Sequence, residues 1–129
     1  MSSIPSTSAP RKRILVADDD PAIGRLLERV LNREFDVIVA SDGRGALALA
    51  TQVKPHLMIL DVMMPAMDGF ALAAQIRLIP ELKAIPIIFL TARDTPLDTI
   101  KGIQAGARHY LTKPFKIDDL TAKVKKTLG

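Results

Sequence analysis

Three consecutive aspartates, Asp18, Asp19 and Asp20, follow one short aliphatic run, and Asp61 follows another. Thr91 and Lys113 stand at the same kind of position, after two further apolar runs. Carboxylates gathered at one end of a fold repel one another and must bind protons, cations or both. Oxygen ligands without His or Cys suit a hard cation, and a small acidic cluster that leaves room for water suits Mg²⁺ better than zinc or copper. A hydroxyl and an ammonium beside such a cation can hold phosphoryl oxygens. The set therefore reads as a phosphoryl-transfer site, whose work is positioning and charge neutralisation. One carboxylate can serve there as a nucleophile and form an aspartyl phosphate. The plainer alternative is an acidic loop cluster neutralised by Lys113, with no chemistry attached.

The elements that must position these residues are visible as periodicity. Five times along the chain a short apolar run gives way to a segment of helical spacing. Ile14 to Ala17 is unbroken, as in a strand buried on both faces, and Ile23, Leu26, Leu27, Val30 and Leu31 then mark one helix face. Phe35 to Ala40 reads as strand, with Ala46, Leu49, Ala50 and Val53 as helix after it. Leu57 to Leu60 is followed by a helix carrying Leu72, Ala73 and Ile76, and Ile87 to Leu90 by a weaker helix around Leu97 and Ile100. Ala107 to Leu111 precedes a last helix with Ile117, Leu120, Val124 and Leu128. Strands joined by helices lie parallel, so an α/β sheet with right-handed crossovers is predicted. Ligands in such sheets bind beyond the carboxyl ends of the strands, where strand order reverses. If strands 1 and 3 are neighbours, Asp18, Asp19 and Asp61 converge there. Other acids have simpler duties: Asp20 before Pro21, Asp42, Asp68 and the Thr95-Pro96-Leu97-Asp98 sequence read as helix N-caps.

Composition removes other classes. The chain has 129 residues, 48% of them hydrophobic, which is enough for one buried core. It has 18 Lys plus Arg against 14 Asp plus Glu, for a net charge of +4. Arg11, Lys12 and Arg13 supply three of those charges, so the remainder is nearly neutral and carries no sign of direct nucleic-acid binding. There is no cysteine, hence no disulfide framework and no thiolate metal site. The aliphatic runs are too short for a membrane span, and the first ten residues lack a signal peptide's apolar core. A soluble, cytoplasmic, single domain is predicted, 13–129, behind a flexible, basic, Ser/Pro-rich tail, 1–12. His56 and His109 read as surface or locally bonded imidazoles, and Met58, Met63, Met64 and Met67 as core and loop packing.

The motifs ILVADDD (14–20), LMILDVMMPAMDG (57–69), IIFLTA (87–92) and AGARHYLTKPF (105–115) together resemble the response-regulator receiver domain of two-component signalling. The resemblance implies a doubly wound, flavodoxin-like (βα)5 fold with a five-stranded parallel sheet in the order 2-1-3-4-5. It implies that Asp61 is the phosphoacceptor, that Asp18 and Asp19 hold Mg²⁺ with Asp61, and that the Met63 backbone carbonyl completes the metal sphere. Thr91 matches the switch hydroxyl, Lys113 the phosphate-contacting lysine, and Tyr110 the aromatic that turns inward when Thr91 moves. The Lys113-Pro114 peptide is expected to be cis. The implied partners are a sensor histidine kinase or phosphotransfer protein, a downstream protein target, and a second copy on phosphorylation. The partner-binding face would be made by helix 4, strand 5 and helix 5. Such a protein is a switch that catalyses only its own phosphorylation and slow dephosphorylation. Arg108, His109 and Lys116 depart from the family pattern, which puts in doubt what that face accepts. Met63 and Arg93 would flank the site entrance. Two alternatives stand beside this reading: an Mg²⁺-dependent phosphatase using Asp18 and Asp20, and the receiver part of a larger regulator.

Overall fold

A computed structural model of the protein describes residues 11–129; most of the predicted tail lies outside these. The chain alternates β1 (Arg13–Ala17), α1 (Pro21–Leu31), β2 (Asp36–Ala40), α2 (Gly43–Val53), β3 (Leu57–Leu60), α3 (Gly69–Leu78), β4 (Ile87–Thr91), α4 (Pro96–Gln104), β5 (His109–Thr112) and α5 (Ile117–Leu128). The strands pair in parallel in the order β2-β1-β3-β4-β5. This is the predicted doubly wound α/β fold, and β1 and β3 are neighbours, with Ala17 level with Leu60. The strand order reverses between them, and the next residues, Asp18 and Asp61, leave the sheet side by side.

The unbroken apolar strands are explained by a core on each side of the sheet. Leu15, Met58, Leu60 and Phe89 pack against Ala46 and Ala50 of α2 and Leu72, Ala73 and Ile76 of α3. Ile14, Val16, Ile59, Ile88 and Leu90 pack against Leu27 and Leu31 of α1 and Leu120 and Val124 of α5. Each fully buried aliphatic side chain contributes about 1.5–3 kcal/mol relative to exposure, so these strands hold their register firmly and the strand ends become fixed mounting points. Among the methionines, Met58 and Met64 are buried and Met67 packs on the core, whereas Met63 is exposed.

The helix starts follow their capping chemistry. Asp20 accepts from the Ala22 N–H, Asp42 from Gly45, Asp68 from Ala71, and Thr95 Oγ1 from Asp98. At α5 the N-cap is Lys116, which makes no side-chain cap bond; Asp118 and Asp119 in the first turn face the helix dipole instead. Two expectations are corrected. The last strand begins at His109 rather than Ala107, because Gly106, at φ 85°, closes α4 and the Ala107 N–H still bonds back to the Gly102 carbonyl. The apolar residues that marked α4, Leu97 and Ile100, point to solvent with Ile103, while α4 buries Asp98 and Gly102. At the other end, Arg11 is tied to the turn after α1, donating to the Asn32 and Phe35 carbonyls, and the Lys12 carbonyl accepts from the Asp36 N–H.

Candidate functional site

The carboxyl ends of β1, β3, β4 and β5 carry the predicted residues to one place. Asp18 and Asp61 are buried and Asp19 is exposed, and one carboxylate oxygen from each lies within 4.8 Å of the others. Lys113 reaches across from the end of β5 and donates to both buried carboxylates, at 2.7 Å to Asp18 Oδ2 and 3.2 Å to Asp61 Oδ2. The remaining oxygens are also engaged: Asp18 Oδ1 accepts the Asp20 N–H at 2.9 Å, and Asp61 Oδ1 accepts the Met63 N–H at 3.1 Å. Burial pushes the Asp18 carboxyl above its ordinary range, and the hydrogen bond from Lys113 works against that shift. Burial likewise lowers the Lys113 pKa, but its bonds to Asp18 and the charges of Asp18 and Asp61 outweigh this and leave it raised. Two buried carboxylates served by a single ammonium, with a third at the rim, still lack positive charge. A hard divalent cation fits that deficit, and the oxygen-only donor set fits Mg²⁺.

Two glycines shape the surroundings. A side chain on Gly69 would place its Cβ 2.3 Å from the Asp61 carbonyl oxygen, so the β3–α3 loop can fold back, with Gly69 N–H bonded to the Val62 carbonyl, only because Gly69 has none. A Cβ on Gly102 would lie 2.5 Å from the Tyr110 ring. The Tyr110 ring therefore packs inward against α4 and Phe89, with ring centroids 5.9 Å apart, and its hydroxyl donates to the Arg93 carbonyl at 2.8 Å. Thr91 is the fully buried last residue of β4; its carbonyl accepts the Lys113 N–H at 2.8 Å and its hydroxyl accepts the Arg93 N–H at 3.3 Å. The backbone from Thr91 to Arg93 thus touches both Lys113 and Tyr110. The Lys113-Pro114 peptide is cis, as expected. Beside Lys113 runs an open, mostly apolar groove of about 460 Å³ lined by Ile23, Leu26, Pro114, Phe115 and Ile117.

Other sequence readings find their places. Asp20 stands outside the carboxylate cluster and caps α1, which removes the second acid that the phosphatase alternative needs. His56 is locally bonded, its Nδ1 accepting the Arg13 N–H at 2.9 Å, and burial together with Arg13 and Lys12 lowers its pKa. Arg93 is held by Asp98, at 2.7 Å, and the same carboxylate accepts from the Thr95 hydroxyl. Asp98 had read only as a capping acid; its burial and its ion pair to the residue that receives the Tyr110 hydroxyl were missed. An isolated glycine inside a helix, Gly102, was the available signal that something packs closely there.

Residues 14–125 match the response regulator receiver domain family. This chain belongs to that family. The receiver is 44% identical over 118 residues to the alkaline phosphatase synthesis transcriptional regulatory protein PhoP of Bacillus subtilis, covering 91% of this chain and 48% of that protein. It is 40% identical to the DNA-binding response regulator MtrA of Mycolicibacterium smegmatis, covering 92% of this chain and 51% of that one. The receiver thus spans about half the length of the curated relatives it matches. Among solved structures, chemotaxis protein CheY4 of Vibrio cholerae superposes with a TM-score of 0.86 at 31% identity, covering 91% of this chain and 98% of that one. The receiver domain of Francisella response regulator 1452 superposes with a TM-score of 0.84 at 34% identity, covering 92% and 97%. The receiver has no helix long and apolar enough to cross a membrane among its described residues.

Proposed function

We propose that this receiver is a phosphorylation-controlled switch in which Asp61 accepts a phosphoryl group from the phosphohistidine of a sensor histidine kinase or phosphotransfer protein in the cytoplasm. The observation that carries the reading is the Lys113 ammonium bridging two buried carboxylates, Asp18 and Asp61, with Asp19 within reach of both. An Asp61 oxygen attacks phosphorus as the donor's N–P bond breaks, and the electron pair of that bond returns to the imidazole. Asp18, Asp19, Asp61 and the Met63 carbonyl would hold Mg²⁺, whose charge offsets the repulsion between carboxylates and incoming phosphoryl oxygens. Lys113, freed from part of its pairing, turns to one phosphoryl oxygen and Thr91 donates its hydroxyl to another. The apolar groove beside Lys113 offers the phosphodonor's helices a place to seat next to Asp61.

The change at Thr91 reaches the surface through contacts already in place. Its hydroxyl meets the Arg93 N–H, the Arg93 carbonyl holds Tyr110, and the Arg93 guanidinium holds Asp98 of α4. A shift of Thr91 toward the phosphate therefore moves the α4–β5–α5 face, a bistable element biased by local charge. The receiver catalyses its own phosphorylation and slow dephosphorylation and no other turnover.

The test is covalent. Incubation with acetyl phosphate and Mg²⁺ should add the mass of one phosphate, labile to hydroxylamine, and Asp61→Asn or EDTA should prevent it. An adduct that survives Asp61→Asn places the acceptor elsewhere and overturns the assignment.

A further inference from the structure

Because the strands run parallel, every strand start lies at one end of the sheet and the carboxylate cluster lies at the other. An exposed cation stands in the segment before each strand: Lys12 before β1, Arg33 before β2, Lys54 before β3, Lys83 before β4 and Arg108 before β5. None of them takes part in an ion pair among the described residues. Arg11, Arg13 and Arg77 at the same end are different, since their guanidiniums donate to backbone carbonyls and have a structural duty. The plain duty of a cation here is to face the carbonyl end of a helix, which carries about half a negative charge. That accounts for Arg33 and Lys54, which follow α1 and α2 closely, but not for Lys12, Lys83 and Arg108. The acids toward this end cancel little: Glu34 is paired with Lys125 and Asp36 with Arg11, which leaves Glu28 and Glu81. The remaining acids follow strands or stand in the first turns of helices, at the far end. Two histidines feel the same field from separate places. His56 before β3 and His109 at the start of β5 both have lowered pKa values, through burial first, then through Arg13 and Lys12 in one case and Lys123, Lys126 and Arg108 in the other. The near-neutral sum of charge beyond Arg13 conceals this separation along the strand direction.

We infer that the amino-terminal end of the sheet takes the sugar–phosphate backbone of a nucleic acid, held by charge and not by base sequence. Strands about 4.8 Å apart set the five starts along a row of about 19 Å, and a twist of roughly 20–25° per strand makes that row wind rather than lie flat. A duplex backbone winds too and presents phosphates in close succession. A flat anionic membrane meets a winding row over part of its length only. It also calls for apolar insertion, and among the described residues no large apolar side chain is exposed in the segments before the strands. A second copy could offer only its carboxyl end, where the acids are already bound to Lys113 or cap helix N-termini. The surface lies at the opposite end of the sheet from Asp61, so the inference goes beyond the switch reading and does not rest on it.

The experiment uses the full chain, a short labelled mixed-sequence duplex DNA, and vesicles of phosphatidylcholine with phosphatidylglycerol. The duplex should bind, weaken about a hundredfold between about 50 and about 200 mM salt as some four phosphate contacts are screened, and shift the amide resonances of Lys12, Lys54, His56 and Arg108. The Lys12→Glu/Lys83→Glu variant should bind the duplex about tenfold or more weakly, with a salt dependence shallower by about two contacts. Arg25 and Arg44 are exposed near the N-termini of α1 and α2, at the other end of the sheet. Arg25→Glu/Arg44→Glu therefore changes the net charge equally and should weaken binding far less, and both variants should keep the amide dispersion of the wild type. No duplex binding at the lower salt, equal loss in the two variants, tighter binding to the vesicles than to the duplex, or self-association of the free chain that perturbs these same amides would each overturn the inference.

Discussion

Asp61 depends on a neighbour that does no chemistry. Gly69 lies against the Asp61 carbonyl, and a methyl group there meets backbone rather than a movable side chain. Gly69→Ala should cost about 1–3 kcal/mol, the usual penalty of forcing atoms into a packed site, and slow acetyl-phosphate labelling of Asp61 as the strand end is displaced; urea denaturation and intact mass read the two effects. The same loop stores strain at Ala66, which sits at φ 68° in the left-handed region. Ala66→Gly should relieve about 1–2 kcal/mol of that strain and lose about 0.5–1 kcal/mol to added freedom of the unfolded chain. The net rise in stability, visible as a higher urea midpoint, would be absent if the loop were relaxed. At Asp98, the bonds from Arg93 and the Thr95 hydroxyl hold the carboxyl below its ordinary value of 3.8. A depressed folded pKa stabilises the fold above the unfolded value, and the contribution is lost as pH falls through the folded one. The urea midpoints of wild type and Asp98→Asn should therefore differ at neutral pH and converge at strongly acidic pH. The sequence showed Asp98 as a capping acid because Thr95 lies three residues earlier. Its pairing with Arg93 was not legible, since nothing in spacing tells which way an arginine five residues upstream will fold.

At the scale of elements, β4, α4 and β5 form one unit through Tyr110. Gly102→Ala adds a methyl group where the ring now packs, and in an isolated helix that exchange would be favourable by about 1 kcal/mol. Here it should expel the Tyr110 ring, break its bond to the Arg93 carbonyl and shift the ring resonances toward those of an exposed tyrosine. An unchanged ring environment would mean that α4 moves instead. Helix α4 is also where periodicity misled: Leu97 and Ile100 marked a helix correctly and its buried side wrongly. The stripe rule assumes that apolar residues face the core, and α4, with Leu97, Ile100 and Ile103 exposed, breaks that assumption. In the other helices the marked residues do face the core: Leu27 and Leu31 of α1, Ala46 and Ala50 of α2, Leu72 and Ile76 of α3, and Leu120 and Val124 of α5 are buried on the sheet. Arg77 adds a tie of a different kind, donating from α3 to the carbonyls of Lys83, Ile85 and Gly106 and so pinning the loop before β4 to the turn before β5.

For the whole molecule, a cation that binds the folded cluster and not the unfolded chain raises stability by mass action. At a hundredfold excess of Mg²⁺ over its Kd this is about 2.7 kcal/mol, so the melting temperature should rise by several degrees with Mg²⁺, return with EDTA, and respond far less in Asp19→Asn. A phosphoryl group on Asp61, as proposed, would add on the order of one negative charge, comparable to the whole excess of one positive charge that the chain carries beyond Arg13. The sequence by itself determined the alternation of strands and helices, the two-sided burial of β1, β3 and β4, the caps of α1 to α4, and the strand ends to within a residue, because these are local properties of spacing and side-chain type. It also carried the family in four spaced motifs. Only the tertiary structure decided that Lys113 binds Asp18 and Asp61 together, that Tyr110 rests against Gly102, and that α4 turns Leu97, Ile100 and Ile103 to solvent. Those contacts join residues from different strands and helices, and their distances are set by how the sheet twists and the helices lie on it rather than by position along the chain.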